Sequence, residues 1–301
     1  MKGTLAGEKR TASAVAASLG SYVIWGSGHL FTRSALNSVQ PFLLLAVRFT
    51  VALITICVIA LFRRERLFPK GKSLKPLVLF GVLEPLTLIT ESYGILYTNA
   101  SFAGTITALV PVFAILLAAL FLKEYPTRGQ ALFCVLPIAG TIIITMAGKS
   151  LGVISTVGVI FLLLDCLTCG SFKVLNRGIS NDYSPIERTF VMVLSCMLVF
   201  FTGAMISFRG DLGSMAEQLA DGQVLLSAIY LGVMGSVVAN LLSNYSARYI
   251  SVTRASSFSA VNTLTAAVGG AVILGEPVSA LAVTGCVLIL VGVWQVTRLG
   301  S

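Results

Sequence analysis

The sequence predicts an all-α membrane protein with ten transmembrane helices, arranged as two inverted five-helix repeats around a central cavity. Three observations support this fold class. The mean hydropathy is +0.93, and only 11% of the residues are charged, whereas soluble chains average about 25%. Long apolar stretches follow one another along most of the 301 residues. Motifs in the first half of the chain recur in the second half.

Ten apolar stretches are candidate transmembrane helices, because most of them approach the roughly 20 residues that a helix needs to cross the hydrocarbon core. In chain order they are Thr11–Thr32, Pro41–Phe62, Pro76–Tyr97, Ser101–Leu122, Gly129–Gly148, Leu151–Phe172, Pro185–Phe208, Gly222–Ala247, Val252–Gly275 and Pro277–Thr297. They leave little of the chain for a soluble domain.

The third stretch, Pro76–Tyr97, carries two carboxylates, Glu84 and Glu91, although it is long enough to span a bilayer. Seven residues at about 100° each place the two side chains within about 20° of one another, roughly 10 Å apart along the helix axis. Pro85 follows Glu84 and predicts a kink there, because proline removes a backbone donor. Ionisable groups at membrane depth are costly and indicate a functional site.

The positive charges predict the orientation of the chain. With the N-terminus in the cytoplasm, 17 of the 21 Lys and Arg residues fall in cytoplasmic segments. Such an excess predicts cytoplasmic N- and C-termini, an even number of spans and a location in the cytoplasmic (inner) membrane. We attribute the net charge of +9 to these loops and expect no nucleic-acid partner.

An internal repeat divides the chain. Leu122-Lys123-Glu124 resembles Leu274-Gly275-Glu276 at an offset of 152 residues. The same offset relates Tyr93 to Tyr245 and Gly140 to Gly292, and an offset of 144 relates Gly26-Ser27 and Arg33 to Gly170-Ser171 and Arg177. We therefore predict one five-helix repeat in residues 1–149 and a second in residues 150–301. Because five is odd, the second repeat enters the membrane upside down, as in many secondary transporters.

The chain resembles the ten-helix EamA-type branch of the drug/metabolite transporter superfamily, with the aromatic amino acid exporters of that branch as candidate relatives. The matching residues are Trp25-Gly26, Arg48-Phe49, the run from Ala100 to Glu124, and its echo from Thr253 to Glu276-Pro277. The resemblance covers nearly the whole chain. It implies two five-helix repeats around a cavity lined by helices one, three, four, six, eight and nine. It also implies transport of amino acids, other small metabolites or drugs.

Four intramembrane charges are the first candidate substrate-binding residues: Glu84, Glu91, Arg48 and Asp165. Desolvation favours the protonated form of a carboxyl, so Glu84 is a candidate for proton coupling or for a counter-ion to a cationic substrate. Glu91 and Arg48 have similar depths and are expected either to form a buried ion pair or to contact the substrate. Asp165 lies near the depth of Glu84. Structural roles remain an alternative for each of them.

Five further residues are candidates for the same site. Trp25 lies in the middle of the first span, where it forms either an aromatic wall or a packing contact. Asn240, Asn244 and Tyr245 share the eighth span and either line the cavity or bond neighbouring helices. His29 is the sole histidine, with an interfacial hydrogen bond or a proton relay as alternatives.

Prolines suggest where the helices bend. Pro85, Pro111 and Pro137 fall near the middle of spans three, four and five, whereas their counterparts at the 152-residue offset are not proline. We therefore expect a more bent first repeat and no broken helices at matching positions in the two repeats.

Several function classes are excluded by missing motifs. The sequence contains no G-x-x-x-x-G-K-[ST] motif, and a single histidine argues against a catalytic or metal triad. We therefore expect no enzyme, no metal and no cofactor. The expected function is secondary active export of small metabolites, amino acids first among them, by alternating access, with protons as the candidate coupling ion. The alternative is a carrier for a cationic or quaternary-amine substrate or drug, with Glu84 as counter-ion.

The inverted repeat makes a topological prediction. Cysteines introduced singly at Glu124 and at Glu276 should react with a membrane-impermeant thiol reagent from opposite sides of the membrane, Glu124 from the cytoplasm and Glu276 from outside. Labelling of both positions from the same side would contradict the inverted arrangement.

Overall fold

The computed structural model describes residues 2–35, 38–97, 106–107, 109–147, 155–273 and 280–299. Every regular element in these residues is a helix. In chain order the helices are α1 (Lys2–Ala35), α2 (Pro41–Arg63), α3 (Lys75–Leu96), α4 (Val110–Phe121), α5 (Arg128–Ala147), α6 (Thr156–Gly178), α7 (Pro185–Ser207), α8 (Leu212–Leu219), α9 (Gly222–Ser246), α10 (Val252–Ser257), α11 (Ala260–Ile273) and α12 (Ala280–Leu299).

Five of these helices, α2, α3, α6, α7 and α9, are long and apolar enough to cross a membrane. Shorter apolar segments occur in α4, α5 and α12. The helices coincide with the predicted spans, so the all-helical, multi-pass architecture is confirmed. The count of ten crossings and the inverted orientation remain predictions.

The expectation of no broken helices at matching positions stays a prediction, because residues 101–105 and 108 of the fourth predicted span lie outside the described part of the structure. The ninth predicted span is interrupted between α10 and α11, where the Val261 amide donates to the Phe258 carbonyl at 2.9 Å. Just before α4, the Leu109 amide donates to the Ile106 carbonyl at the same distance. Leu109 and Ile106 precede Val261 and Phe258 by 152 positions. Serines rather than prolines form the later turn: the Ser257 and Ser259 hydroxyls bond carbonyls three residues back, which competes with helical bonding.

The predicted prolines have different structural effects. Pro111 was expected in the middle of a span but occupies the first turn of α4, where a missing amide hydrogen costs nothing. Pro85 and Pro137 lie inside α3 and α5, which continue through them.

A short helix, α8, lies between the seventh and eighth predicted spans. Asp211 caps it, because its carboxylate accepts hydrogen bonds from the amides of Gly213 and Ser214 at 3.0 and 3.2 Å. Hydrogen bonds from Ser214 hold the pKa of Asp211 below its usual range. The Asp-Leu-Gly-Ser sequence was the signal for this cap.

Helix packing repeats between the two halves. Helix α4 of the first half packs on α6 of the second half, and α11 of the second half packs on α1 of the first; likewise α3 packs on α7, and α9 on α2. Glycines allow two of these approaches: a Cβ on Gly26 would lie 2.6 Å from the Asn262 carbonyl oxygen, and one on Gly170 would lie 3.1 Å from the Ala114 nitrogen. Gly26 and Gly170 are related by the 144-residue offset, so this packing supports the internal repeat.

Helices α5 and α12 approach each other closely at Gly140, which leads to a prediction. A Cβ there would lie 2.5 Å from the Gly285 carbonyl oxygen, and backbone cannot yield like a flexible side chain. Gly140→Ala should therefore lower stability by about 1–3 kcal/mol, measured as thermal unfolding in detergent. The matched control is Gly222→Ala, because a Cβ at Gly222 meets nothing within 4 Å. An unfolding temperature equal to that of the control would contradict the close approach.

Candidate functional site

Four predicted site residues form one charged cluster, consisting of Arg48 on α2, Glu84 and Glu91 on α3, and Asp165 on α6. Helix α3 packs against both α6 and α7. The charge of Arg48 interacts with both glutamates, and the charge of Asp165 interacts with the same two carboxylates. Arg48 and Asp165 are therefore each within electrostatic range of both glutamates inside apolar helices.

An ion pair between Arg48 and Glu91, one of the two alternatives for these residues, does not form in the described part of the chain. In the described part of the chain, the ion pairs within 4.0 Å are Arg63–Glu65 and Arg177–Glu124. The Nε of Arg48 instead donates to the Ser236 hydroxyl on α9 at 2.8 Å, and its guanidinium lies 5.1 Å from the Phe49 ring centre. The side chain therefore turns toward α9, which leaves both glutamates without a close cationic partner in the described residues.

Asp165 is the most deeply buried acid of the charged cluster, with 3% of its surface exposed. Its Oδ1 has no hydrogen-bond partner among the described residues. Burial of such an oxygen without a partner costs free energy, and it calls for a proton, a water molecule or a ligand at that point.

The middle of α9 is a π-helix, Leu231–Val238, which the sequence analysis did not predict. Three predicted site residues contact it: Arg48 binds Ser236, the Trp25 indole donates to the Gly235 carbonyl at 2.9 Å, and the Asn240 amide donates to the Ser236 carbonyl at 3.1 Å. Wide π-helical turns often mark functional sites. The π-helix therefore connects α1 and α2 at the charged cluster.

Two other predicted residues bond neighbouring helices. The Asn244 amide donates to the Thr189 hydroxyl on α7 at 2.8 Å. The Tyr245 hydroxyl lies 3.0 Å from the Ser13 hydroxyl on α1. Both contacts tie α9 to its neighbours. His29 lies in α1, but its side chain is outside the described part of the structure.

A second polar network, which we term the clamp, consists of Glu124 and Arg177 with the backbone that they bind. The Arg177 Nε donates to Glu124 Oε1 at 2.8 Å, and its Nη1 donates to the carbonyls of Ala247 and Arg248 at 2.9 and 2.8 Å. The Val252 amide donates to Glu124 Oε2 at 3.0 Å. The clamp joins the end of α4 to α6 and to the segment between α9 and α10. The internal repeat included both Glu124 and Arg177, but the sequence analysis did not predict that the two side chains pair.

A small cavity of about 30 Å³, with both polar and apolar walls, lies beside the clamp, between α1, α6, α9 and α10. Its wall includes Ser18, Tyr22, Lys173, Asn176, Ser243 and Ser246. None of these six residues was predicted as part of the site, because each has an ordinary structural explanation in the sequence.

The helices and their charged interior define a multi-pass membrane protein. The chain belongs to the EamA-like transporter family, whose sequence profile matches residues 12–146 and again residues 156–298. The resemblance predicted from the sequence is therefore confirmed, and this is a family of membrane transporters for small molecules.

Individual relatives agree with this assignment. The chain is 32% identical to the uncharacterized transporter YcxC of Bacillus subtilis, over 95% of this chain and 92% of the relative. It is 25% identical to the uncharacterized inner membrane transporter YedA of Escherichia coli K12, over 86% and 82% of the two chains. One solved crystal structure superposes with a TM-score of 0.80 at 18% identity, over 96% of this chain and 98% of that chain, which supports the fold.

The contact between Arg48 and Ser236 yields a prediction. Ser236 is fully buried, so Ser236→Ala should leave the Arg48 Nε without its acceptor and lower stability by about 1–3 kcal/mol. The measurement is thermal unfolding of the purified protein in detergent. Ser171→Ala is the control, because the Ser171 hydroxyl bonds only the Leu167 carbonyl of its own helix. Equal unfolding temperatures for the two variants would show that the contact contributes nothing.

Proposed function

We propose that this protein is a secondary active transporter that exports small metabolites, amino acids first among them, by alternating access. The observation that carries the proposal is the charged cluster of Arg48, Glu84, Glu91 and Asp165 inside the apolar helices. Structural charges inside a membrane protein are normally paired closely. Here the described contacts include no close ion pair for any of the four, so the cluster is suited to exchange partners during a transport cycle.

The charge balance of the cluster supports coupling to protons. Three ionised carboxylates outweigh the Arg48 guanidinium, and an uncompensated charge in an apolar interior is expensive. Protonation of an acid reduces this imbalance, and so does binding of the amino group of a substrate. The two events therefore compete for the same carboxylates. Glu84, which is partly buried and interacts with both Arg48 and Glu91, is our choice for the coupling group.

Alternating access is supported by the matching turns before α4 and between α10 and α11. Discontinuous helices commonly flank the substrate site of secondary transporters, and the described break between α10 and α11 is of this kind. In the proposed topology the termini and the clamp face the cytoplasm, and the protein lies in the cytoplasmic membrane. The Glu124–Arg177 pair then closes the cytoplasmic side, and its separation accompanies opening toward the cytoplasm.

A second candidate function is transport of a cationic or quaternary-amine substrate or drug. The excess of carboxylates over cations in the charged cluster favours it. The aromatic residues Tyr22 and Trp25 add a possible wall for such a cation, with ring centres 5.3 Å apart in an edge-to-face arrangement. In this alternative Glu84 remains ionised and acts as the counter-ion.

Glu84→Gln tests the coupling role. The amide cannot release a proton, so flux of a panel of amino acids, amines and sugars into proteoliposomes should lose its dependence on an imposed pH gradient. The matched control is Glu217→Gln, an exposed glutamate on α8, which should behave as the unchanged protein does. If Glu84→Gln retains both the flux and its response to pH, Glu84 is not the coupling group. If amines are carried and amino acids are not, the second function is correct.

A further inference from the structure

The small cavity beside the clamp has several hydrogen-bond donors in an otherwise apolar wall. Ser18 and Tyr22 come from α1, Lys173 and Asn176 from α6, and Ser243 from α9. Its walls therefore belong to both halves of the chain. A volume of about 30 Å³ fits one small polar group and not a whole metabolite.

Lys173 brings a positive charge to this cavity. Its ammonium lies 5.8 Å from the Tyr22 ring centre and interacts with the Tyr22 hydroxyl. No carboxylate lies within 4.0 Å of it in the described part of the chain. Asp165, whose charge reaches Lys173, is eight residues earlier on α6, about 12 Å away along the axis. The ammonium is therefore available to a negatively charged ligand.

Asn176 is oriented from behind by a buried arginine. Arg188, which has no exposed surface, donates through Nη1 to the backbone carbonyl of Asn176 at 3.0 Å and also to its side-chain oxygen Oδ1. Because Oδ1 is bound to Arg188, the amide NH₂ of Asn176 is the group left to face the cavity. Arg188 is thus a positioning residue that presents a donor beside Lys173.

The carboxylate of Glu124 in the clamp does not pair with the Lys173 ammonium. Both oxygens of Glu124 are occupied, Oε1 by Arg177 and Oε2 by the Val252 amide. Lys173 and the Asn176 amide therefore remain as an ammonium and a neutral donor without an acid between them. Carboxylates bind such pairs through short, charge-assisted hydrogen bonds.

We propose that this cavity is a subsite for the carboxylate group of the transported substrate, with Lys173 and Asn176 as its binding residues. The inference rests on the proposed function and narrows it to substrates that carry a carboxylate. In the closed arrangement the cavity has room only for the carboxylate group of the substrate. The remainder of the substrate extends from it once Arg177 and Glu124 separate.

The test measures ligand binding without transport. The full-length protein in detergent is titrated with the common L-amino acids, each compared with its C-terminal amide at constant ionic strength, and thermal stabilisation reports binding. At least one amino acid should stabilise the protein more than its amide does. Lys173→Gln should weaken this preference at least about tenfold, whereas Lys173→Arg should retain most of it.

Two further variants keep the test decisive. Asn176→Asp introduces a carboxylate at the cavity and should abolish the preference even if Lys173→Gln folds poorly. Lys70→Gln changes an exposed lysine outside the cavity and should have no effect. No preference for any carboxylate, or a preference that survives both Lys173→Gln and Asn176→Asp, would overturn the subsite. A preference that depends on Lys173, in a protein without flux in proteoliposomes, would retain the subsite and refute transport.

Discussion

Charges inside apolar helices must be compensated by the protein, because water is scarce there, and this constraint organises the interior of the molecule. It is met in three ways. Arg188 is surrounded by carbonyl and amide oxygens of Asn176 and Asn244. Arg177 has a carboxylate partner as well as carbonyls. Arg48 has one hydroxyl and only longer-range interactions with acids. The first two arrangements hold helices together. The third leaves the Arg48 guanidinium without a carboxylate within 4.0 Å in the described residues, as a site that binds a charged substrate or proton would require.

The π-helix in α9 contacts the charged cluster through Arg48 and also contacts Trp25. It places the Gly235 carbonyl against Trp25 and the Ser236 hydroxyl against Arg48. Gly232 allows the approach, since a Cβ there would lie 2.7 Å from the Arg48 carbonyl oxygen. Side chains from α1 and α2 are therefore held by an irregular turn of a helix from the other half of the chain. In the proposed alternating access, movement between the halves would change these contacts together with the electrostatics of the cluster.

The sequence predicted the features that depend on spacing along one helix, and it missed those that depend on packing. Apolar length predicted where the helices lie, and the seven-residue spacing predicted that Glu84 and Glu91 share one face of α3. Depth gives a position along the axis but not a rotation about it, so the sequence left open whether Arg48 pairs with Glu91, and the described residues show no such pair within 4.0 Å. The search for helix breaks relied on proline and overlooked the serine turn between α10 and α11. Asn176 acquires its role only because Arg188, twelve residues later, folds back onto it.

Helix α6 connects the two polar regions. Asp165 and Asn176 are eleven residues apart, so they share one face of the helix within about 20°, separated by roughly 17 Å along the axis. Lys173 lies between them in sequence. A substrate carboxylate held at Lys173 and Asn176 would therefore lie further along α6 from Asp165. The Oδ1 of Asp165 has no hydrogen-bond partner among the described residues. The same helix repels the substrate carboxylate at one end and attracts it at the other. In the proposed function, a carboxylate-bearing substrate would move along α6 only if Asp165 were protonated, or if the amino group of the substrate approached Asp165 before its carboxylate did.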